Sequence, residues 1–275
     1  MKFDMGAAWN EAMRLIAANR QVVAIVAGVF FFLPYLAFML LFMNQMEALE
    51  AAQMAHPNPE AVGAAMMDFY GQIWWAILLM VVIQAIGMLG LLALLTDRSR
   101  PTVGEALSIG AKLFLPYLGA QLVVSVVLGI MMLLPFAVGA AVSVTAGVLL
   151  GLIAIVALCY LFTKFMLVPP VIAIERETNP LTALGRSWRL TKGNSVRLFF
   201  FMVLLLIAIV VIGGVVSMVV GLVFALFGAT AALIGQAIVS GLLNAIWVVL
   251  FLAVLAAIHH QLAGPSTETV RETFE

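Results

Sequence analysis

Long apolar runs separated by short polar stretches set the plan of this chain. Runs near residues 21–43, 70–95, 113–134, 141–168, 198–225 and 231–258 are each long enough, at about 1.5 Å per helical residue, to cross roughly 30 Å of hydrocarbon. The pattern predicts six transmembrane helices. Between the third and fourth runs the punctuation is Pro135, and between the fifth and sixth it is the Gly228-Ala229-Thr230 turn.

The polar stretches have a pattern of their own. From Thr178 to Arg197, Asn179 followed by Pro180 reads as an N-cap with Pro at the first helical position, and Gly193-Asn194 reads as a stop. Inside that helix Leu181, Leu184 and Trp188 share one side, while Arg186, Arg189 and Lys192 recur every three residues on a neighbouring one. Such a helix is expected to lie at a bilayer surface, with anionic phospholipid headgroups as its partner.

Two more segments line up with this one. A cap-type residue opens each (Asp4, Thr102, Asn179), an alanine follows four residues on (Ala8, Ala106, Ala183), and a cation with a leucine comes ten after the cap (Arg14-Leu15, Lys112-Leu113, Arg189-Leu190). Thr102 and Glu105 also have the spacing of a capping box. Each segment precedes two apolar runs. The expected fold is therefore an all-α polytopic membrane protein with six transmembrane helices as three hairpins, each preceded by a cytoplasmic amphipathic interfacial helix. It forms one membrane domain over 1–263, with pseudo-repeats 3–95, 101–168 and 178–260 and a cytoplasmic tail at 264–275. The first copy has an acidic, Ala-rich insert, Gln45 to Phe69, broken at His56-Pro57-Asn58-Pro59.

Composition agrees with this plan. Hydrophobic residues make up 65% of the chain and charged ones 9%, a balance that excludes a soluble domain of this size. All 13 Lys and Arg residues fall at the termini or on or close to the even-numbered connections, so both termini are expected in the cytoplasm of a bacterial inner-membrane protein. The first apolar run is too long for a signal peptide and has no small-residue cleavage site after it. The single cysteine, Cys159, forms no intramolecular disulfide.

The candidate chemistry is sparse. No Asp, Glu or His falls deep in a span, which argues against proton pumping and intramembrane proteolysis. The adjacent His259 and His260 point about 100° apart on a helix and make a poor chelate, so no metal and no cofactor are expected. The cations Arg14, Lys112, Lys164, Arg186, Arg189 and Lys192 are the headgroup or anion candidates. Gln84, Gln121 and Asn244 are polar groups within spans, suited to interhelical hydrogen bonds. Gly147 and Gly151, and the series Gly213, Ser217, Gly221, have the spacing of close helix contacts.

The run from Val168 to Asn194, VPPVIAIERETNPLTALGRSWRLTKGN, resembles the membrane-domain family named for bacterial glycerophosphoryl diester phosphodiesterases, which includes YciC-like inner-membrane proteins. The residues that carry the likeness are Pro169, Pro170, Glu175, Ser187, Trp188 and Asn194. The resemblance implies the membrane part alone, since the phosphodiesterase activity belongs to a separate barrel for which this chain has no room. The expected function is thus a non-enzymatic membrane protein that binds or organises phospholipid, or a protein partner that the sequence does not identify, through its cytoplasmic basic helices. No nucleic acid is expected, and no oligomeric state is specified. The alternative is a transporter or flippase for a lipid-like or small neutral solute.

Overall fold

A computed structural model describes residues 2–55, 58–96 and 102–264. Among the described residues the fold is all helical. In order the elements are α1 (Met5–Ala18), α2 (Arg20–Ala27), a π-helical segment (Gly28–Phe32), α3 (Leu33–Leu41), α4 (Met43–Ala55), α5 (Pro59–Thr96), α6 (Val103–Ala141), α7 (Val144–Phe165), α8 (Val168–Ile174), α9 (Pro180–Leu190), α10 (Ser195–Ala225) and α11 (Ala229–Ala263). Six helical stretches are long and apolar enough to cross a membrane: Arg20–Leu41, Glu60–Thr96, Val103–Ala141, Val144–Ile174, Ser195–Ala225 and Thr230–Ala263. His56, Pro57, Arg98, Arg100, Arg271 and the tail from residue 265 lie outside the described residues.

Two expectations change. The segment opening at Thr102 is not a separate surface helix, because α6 runs unbroken for 39 residues. No stop signal divides Phe114 from Leu115, so backbone bonding that starts at the Thr102–Glu105 capping box continues. Pro116 lies inside the helix, which continues although the proline lacks an N–H and its ring crowds the carbonyl four residues earlier. Likewise Pro135 does not end the third span. The turn comes at Val142, where Ser143 starts the next helix by accepting from the Ala146 N–H at 3.1 Å.

The chain divides into two compact units, Met1–Arg20 with Met88–Ala208 and Leu250–Glu275, and Gln21–Gly87 with Ile209–Val249. In the first unit the last turns of α5 (Leu89, Leu91 to Leu95) and of α11 (Leu252 to Ile258) are buried, as are Val168 and Val171 to Ala173 of α8. Gly90 allows α5 close to α6, where an added Cβ would lie 3.0 Å from the Ala106 carbonyl oxygen. Phe3 packs against Phe201, ring centroids 5.6 Å apart, and its N–H donates to Asn194 Oδ1 at 2.9 Å.

In the second unit Phe42, Ile73 and Ala76 form a buried cluster flanked by Phe38, Phe69 and Ile77. A Cβ on Gly87 would come within 2.5 Å of Phe30, and one on Gly241 within 3.1 Å of Phe32. Both glycines thus make room for aromatic rings of the π-helical segment. That segment widens the helix by one residue per turn and disturbs its carbonyl ladder. Asn244 answers it by donating to the Phe31 carbonyl at 3.4 Å.

Candidate functional site

The residues with chemistry gather in the first unit where α7, α8, α9 and the end of α11 meet. The local sequence explains the meeting point. Pro169 and Pro170 have no N–H to offer the last carbonyls of α7, so that helix ends at Phe165 and α8 begins three residues later. The Glu175 N–H closes α8 by donating to Val171, and Arg176 then adopts φ +57°, turning the chain toward α9. Asn179 caps α9, its Oδ1 accepting from Leu181 at 3.0 Å and Thr182 at 3.3 Å. Pro180 fits against Gly119 of α6, where an added Cβ would meet its ring at 2.9 Å.

Glu175 is the centre of a polar network. Arg186 Nε donates to both of its carboxylate oxygens, at 3.1 and 3.0 Å, and His259 Nε2 lies 2.9 Å from Oε1. Burial alone would push the Glu175 carboxyl up. The hydrogen bonds from His259 and Arg186, with their charges, outweigh it and hold the carboxyl below the usual carboxylate range. His259 is buried, so this network ties the end of α11 to the loop before α9. Next to it Gln261 accepts from the Asp4 N–H at 3.1 Å, and His260 Nδ1 lies 3.7 Å from Glu11, joining α11 to α1.

On the other side of α9, fully buried Ser187 donates to the Lys164 carbonyl at 2.6 Å. That carbonyl belongs to the last turn of α7, where a helix has no intrahelical donor to spare. The Lys164 side chain is only 3% exposed. Its Nζ stands 5.3 Å from the ring centroids of both Tyr160 and Trp188, and those rings meet edge-on at 5.7 Å. Tyr160 and Trp188 are themselves 47% and 37% exposed, so the rings line the surface beside the ammonium.

The six cation candidates have different surroundings. Arg14 is paired with Glu11 at 2.7 Å and Arg186 with Glu175, while Lys112, Arg189 and Lys192 are exposed and Lys164 is buried. The three column cations Arg14, Lys112 and Arg189 stand on three different helices, all exposed, and the three column alanines Ala8, Ala106 and Ala183 are all buried. All three cap residues accept a backbone N–H of the helix they open. The motif residues Pro169, Pro170, Glu175, Ser187, Trp188 and Asn194 all fall at the junction just described. Of the polar residues in spans, Asn244 is bonded to Phe31, Gln84 is half-buried and Gln121 is exposed. Gly147 does mark a close contact, but Gly213 faces open space.

Sequence reasoning missed the pairings at this junction, and two of them differ in whether a signal existed. The cage over Lys164 had a signal, since Tyr160 and Lys164 are four apart on one helix face. The Glu175–His259 pair had none, its members being 84 residues apart.

Residues 32–262 match the model of a domain of unknown function, DUF7847. The chain belongs to this family. The DUF7847 match takes in the whole junction from Lys164 to Asn194, together with His259 and Asn244, and leaves out Arg14. No curated protein and no solved structure matches the chain.

Proposed function

We propose that this DUF7847 protein is a non-enzymatic protein of the bacterial inner membrane that binds or organises anionic phospholipid through basic helices on the cytoplasmic side. The observation that carries this reading is the mixed exposed surface of α9. Leu181, at 66% exposure, and Trp188 are uncovered, as are Arg189 and, in the turn just past the helix, Lys192, while Ala183, Leu184, Ser187 and Leu190 are packed inward. A helix with apolar and cationic groups both facing outward is at rest where hydrocarbon meets headgroup.

Orientation follows from the Lys and Arg bias of the connections, which puts both termini in the cytoplasm. The three-hairpin plan and the threefold repeat are part of the same proposal, supported by the matching caps and by the buried alanine column. So is kinship with the membrane domain of the glycerophosphoryl diester phosphodiesterases. Its motif residues support a non-enzymatic role, because Glu175, Ser187 and Asn194 are each engaged in joining helices. A transport path would want free polar groups along it, whereas Asn244 donates to Phe31 and Gln236 to Ser240.

The test is to purify the full chain in mild detergent and measure bound phospholipid. Each exposed cation near anionic lipid contributes about 1 kcal/mol, so changing Arg14, Lys112 and Arg189 together to Glu should strip most of it. Undiminished phospholipid in that triple variant counts against the reading.

A further inference from the structure

Lys164 poses a problem of charge. Its ammonium carries three N–H donors, yet among the described residues its contacts are the faces of Tyr160 and Trp188, with no oxygen accepting from Nζ and no carboxylate paired with it. On the α8–α9 loop, Glu175 is already held by Arg186 and His259, and Glu177 accepts from the Asn179 N–H. The charged residue that follows on the Trp188 side, exposed Lys192 four residues further on, has the same sign. Two aromatic faces attract an ammonium, but they supply no hydrogen-bond acceptor and do nothing about a second cation.

We infer that Lys164 and Lys192, with Tyr160 and Trp188 as walls, form a binding site for the phosphate of an anionic phospholipid headgroup. A phosphate oxygen would accept from the Lys164 ammonium and neutralise both lysines at once. The two rings favour a lipid over a soluble phosphate, because exposed Tyr and Trp side chains belong at the membrane interface, where a headgroup brings its own acyl chains. This site rests on the lipid-binding reading above and goes further, because it places one lipid at one locus instead of a cloud along basic helices. It is separate from Arg14 and Lys112, which stand on other helices.

The experiment is native mass spectrometry of the full chain in detergent, titrated with phosphatidylglycerol, with phosphatidylcholine, and with glycerol phosphate as the soluble competitor. The wild-type protein should hold one phosphatidylglycerol in preference to phosphatidylcholine. Lys164→Met, an unbranched apolar side chain one atom shorter, should lower that occupancy about tenfold, the worth of one charge-assisted hydrogen bond. Lys192→Gln, on the surface and so without consequence for packing, should lower it several-fold and decides the matter if the Lys164 variant does not fold. Wild-type occupancy in both soluble variants, or in Lys192→Gln alone should the other fail, overturns the site and leaves the broader lipid reading standing. A wild-type chain that holds no anionic lipid removes both. Release of the lipid by millimolar glycerol phosphate would assign the locus to a soluble phosphate and overturn the lipid source.

Discussion

At its first turn α7 touches α6 backbone to backbone, and at its last turn it is held by side chains. A Cβ on Gly147 would lie 2.6 Å from the Gly139 Cα and 2.9 Å from the Pro135 carbonyl oxygen, an approach that two glycines alone permit. Around that contact Phe136, Val142, Val144 and Val148 are exposed. At the other end of the same helix the Lys164 carbonyl is bonded by buried Ser187, and the neighbouring helices are joined by Glu175, Arg186 and His259. The contrast is what a bilayer imposes. Lipid tails solvate Leu and Val as well as a protein interior does, so apolar burial does little to hold two helices together within the hydrocarbon. Close packing of small residues and satisfied polar groups take its place. The α6–α7 turn uses the first device and the motif end uses the second.

The sharpest way to break the contrast is at Glu175. Glu175→Leu leaves buried His259 and part-buried Arg186 without their acceptor. The carboxylate is partly exposed, so the cost is below that of a fully buried pair, about 2–3 kcal/mol. The readout is thermal unfolding in detergent, followed by thiol labelling of half-buried Cys159 on α7. Acid should imitate the variant. Because the folded protein holds Glu175 below the ordinary carboxylate value of about 4.3, its contribution is complete above that value. It is lost as the pH falls through the depressed one. Glu175→Leu should therefore flatten the acid limb of the stability curve, and an unchanged limb would mean that the pair does not hold the folded state together.

A smaller loss is expected at the other end of α7. Gly147→Val drives a branched side chain into backbone atoms that cannot move aside singly, so the two helices must separate, at about 1–3 kcal/mol. No titrating group is near, so the acid limb should keep its slope while the whole curve drops. From residue 147 to residue 164 is about 26 Å along a helix. The double variant with Glu175→Leu should thus be additive to within about 0.5 kcal/mol. A clear departure from additivity would show that the two ends are coupled through α7.

The sequence displays the two devices unequally. Long apolar runs locate the spans, because length and hydropathy are properties of one segment. The start and stop of α9 are equally local, and both are found, with Asn179 accepting two N–H bonds and Gly193 at φ +82°. Where the outcome depends on a helix continuing, local signals mislead. Pro135 looks like a boundary and is carried, as Pro116 is, inside α6, where the bonds of the turns on either side continue the helix. The π-helical turn at Gly28–Phe32 leaves no mark in an all-apolar run and becomes intelligible only through Asn244, 213 residues away. Spacing picks out Gly147 and Gly213 alike, and only the partner helix tells them apart. The cations were visible as residues, but which are already neutralised, as Arg14 is by Glu11, was not.

The smallest effect sharpens the comparison most finely, because it touches the polar end without removing any of its charges. Asn179→Ala deletes the oxygen that accepts from Leu181 and Thr182, a loss of about 1 kcal/mol for a helix cap. Pro180 has no N–H to lose, so those two donors are what the cap satisfies. Asn179→Asp keeps the acceptor and adds a negative charge at the helix N-terminus, and should restore the stability. α9 carries Ser187 and Trp188 to Lys164 and Arg186 to Glu175. Fraying its first turn should therefore speed thiol labelling of Cys159, five residues before Lys164 on α7, more than the drop in unfolding temperature alone would. Gly147→Val, with a larger stability loss, should speed that labelling less. Equal labelling at equal stability would mean that the polar end transmits no more order along α7 than the glycine contact does.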